Sequence, residues 1–355
     1  MRIEYTLTVH MATLNNLLAL YDYSLPSDRI AQEPASPRDS ARLLVYSRKT
    51  GAVAHDTFLN LADHIPKNAI LVFNKTKVVP ARFSVTKETG GTATITYVET
   101  HAPHIQVMAD RKLIIGSRLT LSRTLSFIVA GQEEKYFFLT PSFPLARLFR
   151  ILERYGTMPI PPYIKHSPLS RAQLKEKYQT VFARTNGSIA APTASLHFTR
   201  RLLTHLKKQG MTTAYITLHV GLGTFAPLTQ ENISKKTLHH EWYDIDPQTA
   251  KRINAAKKEN RPIIAVGTTV VRALESASDK NGRIVRPSGS TNLFIRPGYR
   301  FQCINGLVTN FHVPRSSLLM LVSAFAGRKK ILSLYTKAIA KNYRFFSFGD
   351  GMLIM

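Results

Sequence analysis

The spacing of apolar and polar positions divides the chain into three regimes. Residues 41–46 and 69–74 are short, nearly continuous apolar runs and predict buried strands. The second run ends in a polar loop, residues 74–82, where α/β sheets place their ligands. From residue 83 to about 155 the texture changes to β-branched and polar residues in alternation, as at 92–98 and 124–129, broken by glycine turns. That pattern predicts an inserted all-β module. A proline-rich segment, residues 158–164, then marks a hinge. Beyond it, helical stretches alternate with apolar strands: 199–209 then 213–220, 247–260 then 263–266, and 316–325 followed by a last helix near 329–341. This rhythm is that of an α/β fold. The predicted organisation is a discontinuous α/β catalytic domain, 1–82 and 158–355, interrupted by a β-barrel domain at 83–157.

Length and composition agree with two cores. The chain has 355 residues, too many for one ordinary core, and 44% of them are hydrophobic. A single cysteine, Cys303, excludes an internal disulfide and any multi-cysteine metal site, as expected in a reducing compartment. The first twenty residues lack an apolar stretch of signal-peptide length, and Met11 is an alternative initiator. No run of about 18 apolar residues predicts a membrane span. Charge changes the picture more. Forty-eight Lys and Arg against 22 Asp and Glu leave +26, an excess that attracts a polyanion, with nucleic acid the first candidate partner. The Lys pairs at 207–208, 235–236, 257–258 and 329–330 are dispersed, as on solvated helix faces.

The candidate chemistry lies in small-residue loops. Residues 186–199 join Gly187, Ala190, Ala191 and Ala194 to Thr193, His197 and Thr199 with little aliphatic bulk, a composition that lets backbone approach a ligand while hydroxyls and an imidazole supply polar contacts. The alternative is a turn leading into a helix near Thr199. Three further strand ends repeat the package: 218–225 with His219, Gly221 and Gly223; 266–275 with Thr268, Arg272 and Glu275; and 307–315 with Asn310 and His312. Loops of this kind converge on one crevice in an α/β sheet. Gly221 and Gly223 do not make a dinucleotide site, because the third glycine and the following helix are missing. Residues 238–243 set Glu241 beside His239, His240 and Trp242, a setting for a base whose pKa an apolar neighbour raises. A metal site from His219, His239, His240 and Glu241 is an alternative without any zinc spacing signature. Residues 296–301 and 343–350 interleave rings with arginines, which suits either a core or the stacking of unpaired RNA bases.

Taken together these stretches closely resemble the S-adenosylmethionine:tRNA ribosyltransferase-isomerases of queuosine biosynthesis. The likeness runs from about Tyr21 to the end and includes residues 25–34, 38–45, 74–82, 158–165, 178–182, 190–199, 218–225, 266–276, 307–327 and 343–354. It implies a multi-layer α/β main domain with an inserted β-barrel and a cytoplasmic, monomeric transferase. In that family S-adenosylmethionine donates its ribosyl part to the 7-aminomethyl group of a deazaguanine in tRNA, yielding epoxyqueuosine with release of adenine and methionine. Such a reaction needs a base for the carbon beside the sulfonium, a hydrogen-bond donor for departing adenine, and exclusion of water. On this resemblance His197, His219, Glu241 and His312 are the candidate proton-transfer groups. Thr193, Ala194, Gly221, Gly223, Thr268, Arg272 and Asn310 are the candidates for holding S-adenosylmethionine. Arg82, Arg111, Lys112, Tyr299 and Arg344 are the candidates for the tRNA anticodon loop. No metal is expected.

The chain departs from the family pattern at Lys75 and Asn292, where acidic residues are usual, at His240, and around residues 108–112. If a lost carboxylate were catalytic, the chain would be a retired RNA-binding paralogue. A metal-dependent hydrolase built on the histidine loops is the third reading, and it predicts sensitivity to chelators.

Overall fold

A computed structural model describes residues 14–221, 223 and 227–355, so the N-terminal 13 residues with Met11, and positions 222 and 224–226 of the 218–225 loop, lie outside the described residues. Along the chain come β1 (Arg42–Tyr46), β2 (Val53–Thr57), β3 (Ile70–Asn74) and β4 (Thr76–Val78). The six strands β5 (Arg82–Lys87), β6 (Thr92–His101), β7 (His104–Ala109), β8 (Arg118–Ser122), β9 (Leu125–Glu133) and β10 (Tyr136–Pro141) close into an antiparallel barrel. There follow β11 (Thr185–Ser188), β12 (Thr212–Leu218), β13 (Thr237–Asp244), β14 (Ile263–Val266), β15 (Ser288–Leu293), β16 (Gly306–Asn310) and β17 (Gly351–Ile354).

Alternation explains the barrel. In β6, Ala93, Ile95 and Tyr97 point inward, and in β5 Phe83 and Val85 do, so every second side chain fills one apolar interior and the closed ring leaves no free edge. The helix Leu148–Tyr155 packs Leu148, Ile151 and Leu152 onto that same core. Continuous apolar runs explain the large sheet. β3, β14 and β17 are buried at every position, as strands covered on both faces must be.

The large sheet has the order β15-β13-β12-β3-β14-β16-β17-β1-β2. β12, β3, β14 and β16 run parallel, so their carboxyl ends, Leu218, Asn74, Val266 and Asn310, emerge along one edge. β17 was not anticipated from the sequence. It wedges between β16, antiparallel, and β1, parallel, and carries the chain's last residues into the middle of the sheet. The ring-rich tail before it is mostly core: Tyr343, Phe345 and Phe348 are fully buried. Three helices are capped as their sequences predict. Thr199 accepts from the amide of Leu202 at the start of Arg200–Lys208, Asp246 from Thr249 at Pro247–Lys258, and Ser316 from Leu319 at Ser317–Ala326. The chain thus has a mixed α/β architecture in which a closed six-stranded barrel interrupts a large mixed sheet.

Candidate active site

Asn74, wholly buried at the end of β3, fastens two loops. Its Oδ1 accepts from the amides of Thr76 and Leu218, each at 3.1 Å, and its Nδ2 donates to the Leu218 carbonyl at 2.8 Å. A short polar amide replaces ladder bonds where the strands part, so the polar loop after β3 begins at a fixed point.

A cavity of about 400 Å³ opens at this carboxyl edge. Its walls include Ala190, Ala191, Pro192, Thr193 and Ala194 from the small-residue segment, Gly267, Thr268 and Thr269 after β14, and Thr309 to Leu318 from the end of β16 onward. Gly267 has φ of 99°, which suits a residue without Cβ at the turn into the helix Thr268–Ala277. Tyr163, Val220, Leu228 and Phe346 complete much of the apolar lining, and no Asp or Glu occurs among the described wall residues. The volume matches a small-molecule site.

Asn310 is the wall residue with an unmet hydrogen-bonding need. Its Nδ2 donates to the Phe346 carbonyl at 3.0 Å and faces His197 Nε2 at 3.3 Å, which leaves Oδ1 buried with no protein partner. Because the Phe346 carbonyl can only accept, the orientation of the amide is fixed. His197 in turn must accept at Nε2. It does not line the cavity; its ring lies on Phe58 with centroids 4.0 Å apart, and burial, aided by Arg344 and Arg38, pushes its pKa down to about 3. His312 does line the cavity. Its Nε2 is 2.7 Å from Thr309 Oγ1, and burial lowers its pKa to about 4, so the imidazole is neutral at physiological pH.

The remaining candidates form a neighbouring cluster. Arg272 Nη1 lies 2.6 Å from Glu241 Oε2 with both side chains buried, and Glu241 Oε1 accepts from the Gly221 amide at 3.1 Å. His219 Nδ1 is 2.8 Å from Thr76 Oγ1, its ring stacks on Trp242, and burial lowers its pKa to about 4. Gly223 abuts the ring of His239, where a Cβ would collide. Among the described residues no group of three His, Cys, Asp or Glu is placed to hold a metal ion. Past the register shift in β13, Glu241 and Trp242 pair in sequence with Thr291 and Ser290, so they project to opposite faces.

The five candidates for tRNA contact are spread over both cores. Arg82 opens β5, exposed, and Arg111 and Lys112 are exposed between β7 and β8. Tyr299 donates its hydroxyl to Glu275 Oε2 at 3.2 Å, and Arg344 reaches the Glu33 carbonyl. Two departures from the family pattern also acquire partners: Lys75 lies 3.7 Å from Asp246, and Asn292 Nδ2 lies 3.5 Å from His240 Nε2. Tyr163, Thr309, Phe311 and Phe346 are wall residues that sequence reasoning did not single out. Thr309 and Phe311 lie in the 307–315 loop already read as facing the crevice, and Tyr163 and Phe346 in stretches noted for other reasons.

Comparison with known proteins places this geometry. A family model described as queuosine biosynthesis protein matches residues 18–354. The chain belongs to the queuosine biosynthesis family. It is 47% identical to the S-adenosylmethionine:tRNA ribosyltransferase-isomerase of Carboxydothermus hydrogenoformans, over 94% of this chain and 98% of that protein. It is 42% identical to the Fusobacterium nucleatum protein of the same name, over 96% and 97%. The crystal structure of the S-adenosylmethionine tRNA ribosyltransferase of Thermotoga maritima superimposes with a TM-score of 0.54 at 32% identity, covering 95% of this chain and all of that one. A queuosine-family chain with this cavity carries the family's fold along its whole matched length.

Proposed function

We propose that this chain transfers the ribosyl part of S-adenosylmethionine to the aminomethyl-deazaguanine of a tRNA and isomerises it, giving epoxyqueuosine with adenine and methionine as leaving groups. The observation that supports this most is the cavity of about 400 Å³ at the sheet's carboxyl edge, walled by residues of three loops, two of them built of small residues, and containing one acceptor without a protein partner. Its size and apolar walls suit a nucleoside, and Thr193, Ala194, Thr268 and Asn310, which line it, are the residues this reading assigns to holding it. His312 supplies a neutral imidazole on the wall, suited to take the proton from the carbon that the sulfonium acidifies. His197 positions Asn310. The cluster of Glu241, Arg272, Gly221 and His219 shapes the neighbouring rim.

The +26 charge is what a tRNA substrate calls for. In this reading the protein acts as a monomer in the cytoplasm, Arg82, Arg111, Lys112, Tyr299 and Arg344 contribute to the RNA surface, and residues 83–157 are an inserted domain. The test is incubation with S-adenosylmethionine and tRNA bearing 7-aminomethyl-7-deazaguanine. The expected result is a heavier nucleoside together with free adenine and methionine. An unchanged nucleoside at saturating substrates, with tRNA still bound, would instead mark a retired RNA-binding paralogue.

A further inference from the structure

Trp242 is the only tryptophan of the chain and is 44% exposed, yet its ring is not loose. It stacks on His219 at 5.3 Å between centroids and 24° between planes. His219 is pinned behind it by the Thr76 hydroxyl, and its ring presses on Gly187, where a Cβ would come within 2.9 Å of three ring atoms. Burial keeps that imidazole neutral. An indole backed by an immobile, uncharged ring loses little freedom when a second flat group stacks on it.

The surroundings define what that group is. On the same face and the paired strand, His240, Ser290 and Asn292 are polar, with Ser290 directly opposite Trp242, so the indole is not part of an apolar protein-docking patch. One residue before Gly187, Asn186 lines a groove of about 290 Å³ with Lys77 and Arg150. The acidic member of that groove, Glu153, is ion-paired with Lys175 at 2.6 Å, so Lys77 and Arg150 leave a net positive strip. An aromatic face beside a cationic groove is the equipment for one unpaired base and its phosphates. On the other side, His219 is followed by Val220, which lines the large cavity.

We propose that Trp242 is the stacking platform for an unpaired RNA base flanking the one that enters the cavity, with Lys77 and Arg150 receiving the adjoining phosphates. This rests on the tRNA reading above. The experiment uses the lone tryptophan as its own reporter. An anticodon stem–loop RNA is titrated into the full-length protein, with binding followed independently by mobility shift and compared with a fully paired duplex of equal length. Saturable fluorescence quenching by the stem–loop is expected, with none from the duplex even where charge alone makes it bind. Trp242→Ala should weaken stem–loop binding by about tenfold or more. Trp242→Phe should retain affinity within about threefold, since it keeps a π face for stacking. S-adenosylmethionine binding is the control and stays unchanged in both. Joint replacement of Lys77 and Arg150 by Ala should lower the slope of log Kd against log salt by about one to two. Stem–loop binding with a silent tryptophan, or with wild-type affinity in Trp242→Ala, overturns the platform while leaving the tRNA reading in place. Failure of the stem–loop to bind at low salt by mobility shift overturns both.

Discussion

The amide of Asn310 faces Nε2 of His197 across 3.3 Å, and His197 is held flat on Phe58 away from the cavity. The Phe346 carbonyl and the histidine together hold the asparagine amide, whose free Oδ1 is left for a ligand. Replacing Asn310 by Ala removes that acceptor, and kcat/KM for S-adenosylmethionine should fall by about tenfold or more. His197→Phe preserves the stack but not the acceptor; it should raise KM in the same direction by a smaller factor and leave the pH–rate profile unmoved. A profile that loses an ionisation in His197→Phe would show proton transfer at that ring.

Three histidines are folded in the neutral state, His197 near 3, His219 near 4 and His312 near 4. In the unfolded chain each takes up a proton near pH 6.5, so below that value the unfolded state binds more protons than the native one. The stability they contribute is complete above pH 6.5 and is lost as pH falls toward their folded values. Each group contributes a slope of at most about 1.4 kcal/mol per pH unit in that window. Urea unfolding measured from pH 8 to pH 4.5 should show a midpoint that declines below pH 6.5, and His197→Phe should flatten the decline by about one proton.

Periodicity made the scaffold legible. Continuous apolar runs identified β1, β3 and β14, and alternation identified the barrel. The capping residues Thr199, Asp246 and Ser316 then set the helix starts. Small-residue loops pointed to the cavity because parallel strands send their carboxyl ends to one edge, and Thr193, Ala194, Thr268, Asn310 and His312 do meet there. What the sequence hid is long-range. The four residues of β17 are too few for a periodic signal, and only their pairing with β1 and β16 makes them a central strand. Rings at 343–348 read more as core than as ligand contacts, and of them Phe346 alone faces the cavity. The division of histidines into one that lines the cavity and one that lies behind Asn310 depends on contacts across more than a hundred residues of chain.

At Gly187 the backbone and the His219 ring approach closely at a positive φ. That φ is 142°, and a Cβ there would sit 2.8 Å from His219. Gly187→Ala should displace His219 from Thr76, destabilise the fold by about 1–3 kcal/mol and lower turnover. Gly131 in the barrel has open space around its Cβ position and no positive φ. Gly131→Ala should therefore leave thermal unfolding within about 0.5 kcal/mol of the parent, a control that separates the local clash from a general intolerance of added methyl groups.

The Glu241–Arg272 pair ties β13 to the helix Thr268–Ala277, whose first residues line the cavity. With both side chains buried, Glu241→Ala strands the Arg272 guanidinium away from water and should cost about 3–5 kcal/mol, while Arg272→Ala, which leaves Glu241 the Gly221 amide, should cost less. Replacing both at once by apolar residues of similar size, Glu241→Leu with Arg272→Met, removes the stranded charge and should recover most of that loss. Gly221, next in the chain to the wall residue Val220, loses the acceptor of its amide in that double variant. Stability measured by urea unfolding should thus return while kcat/KM for S-adenosylmethionine stays depressed by about tenfold or more. Recovery of both together would mean that the pair serves the fold alone.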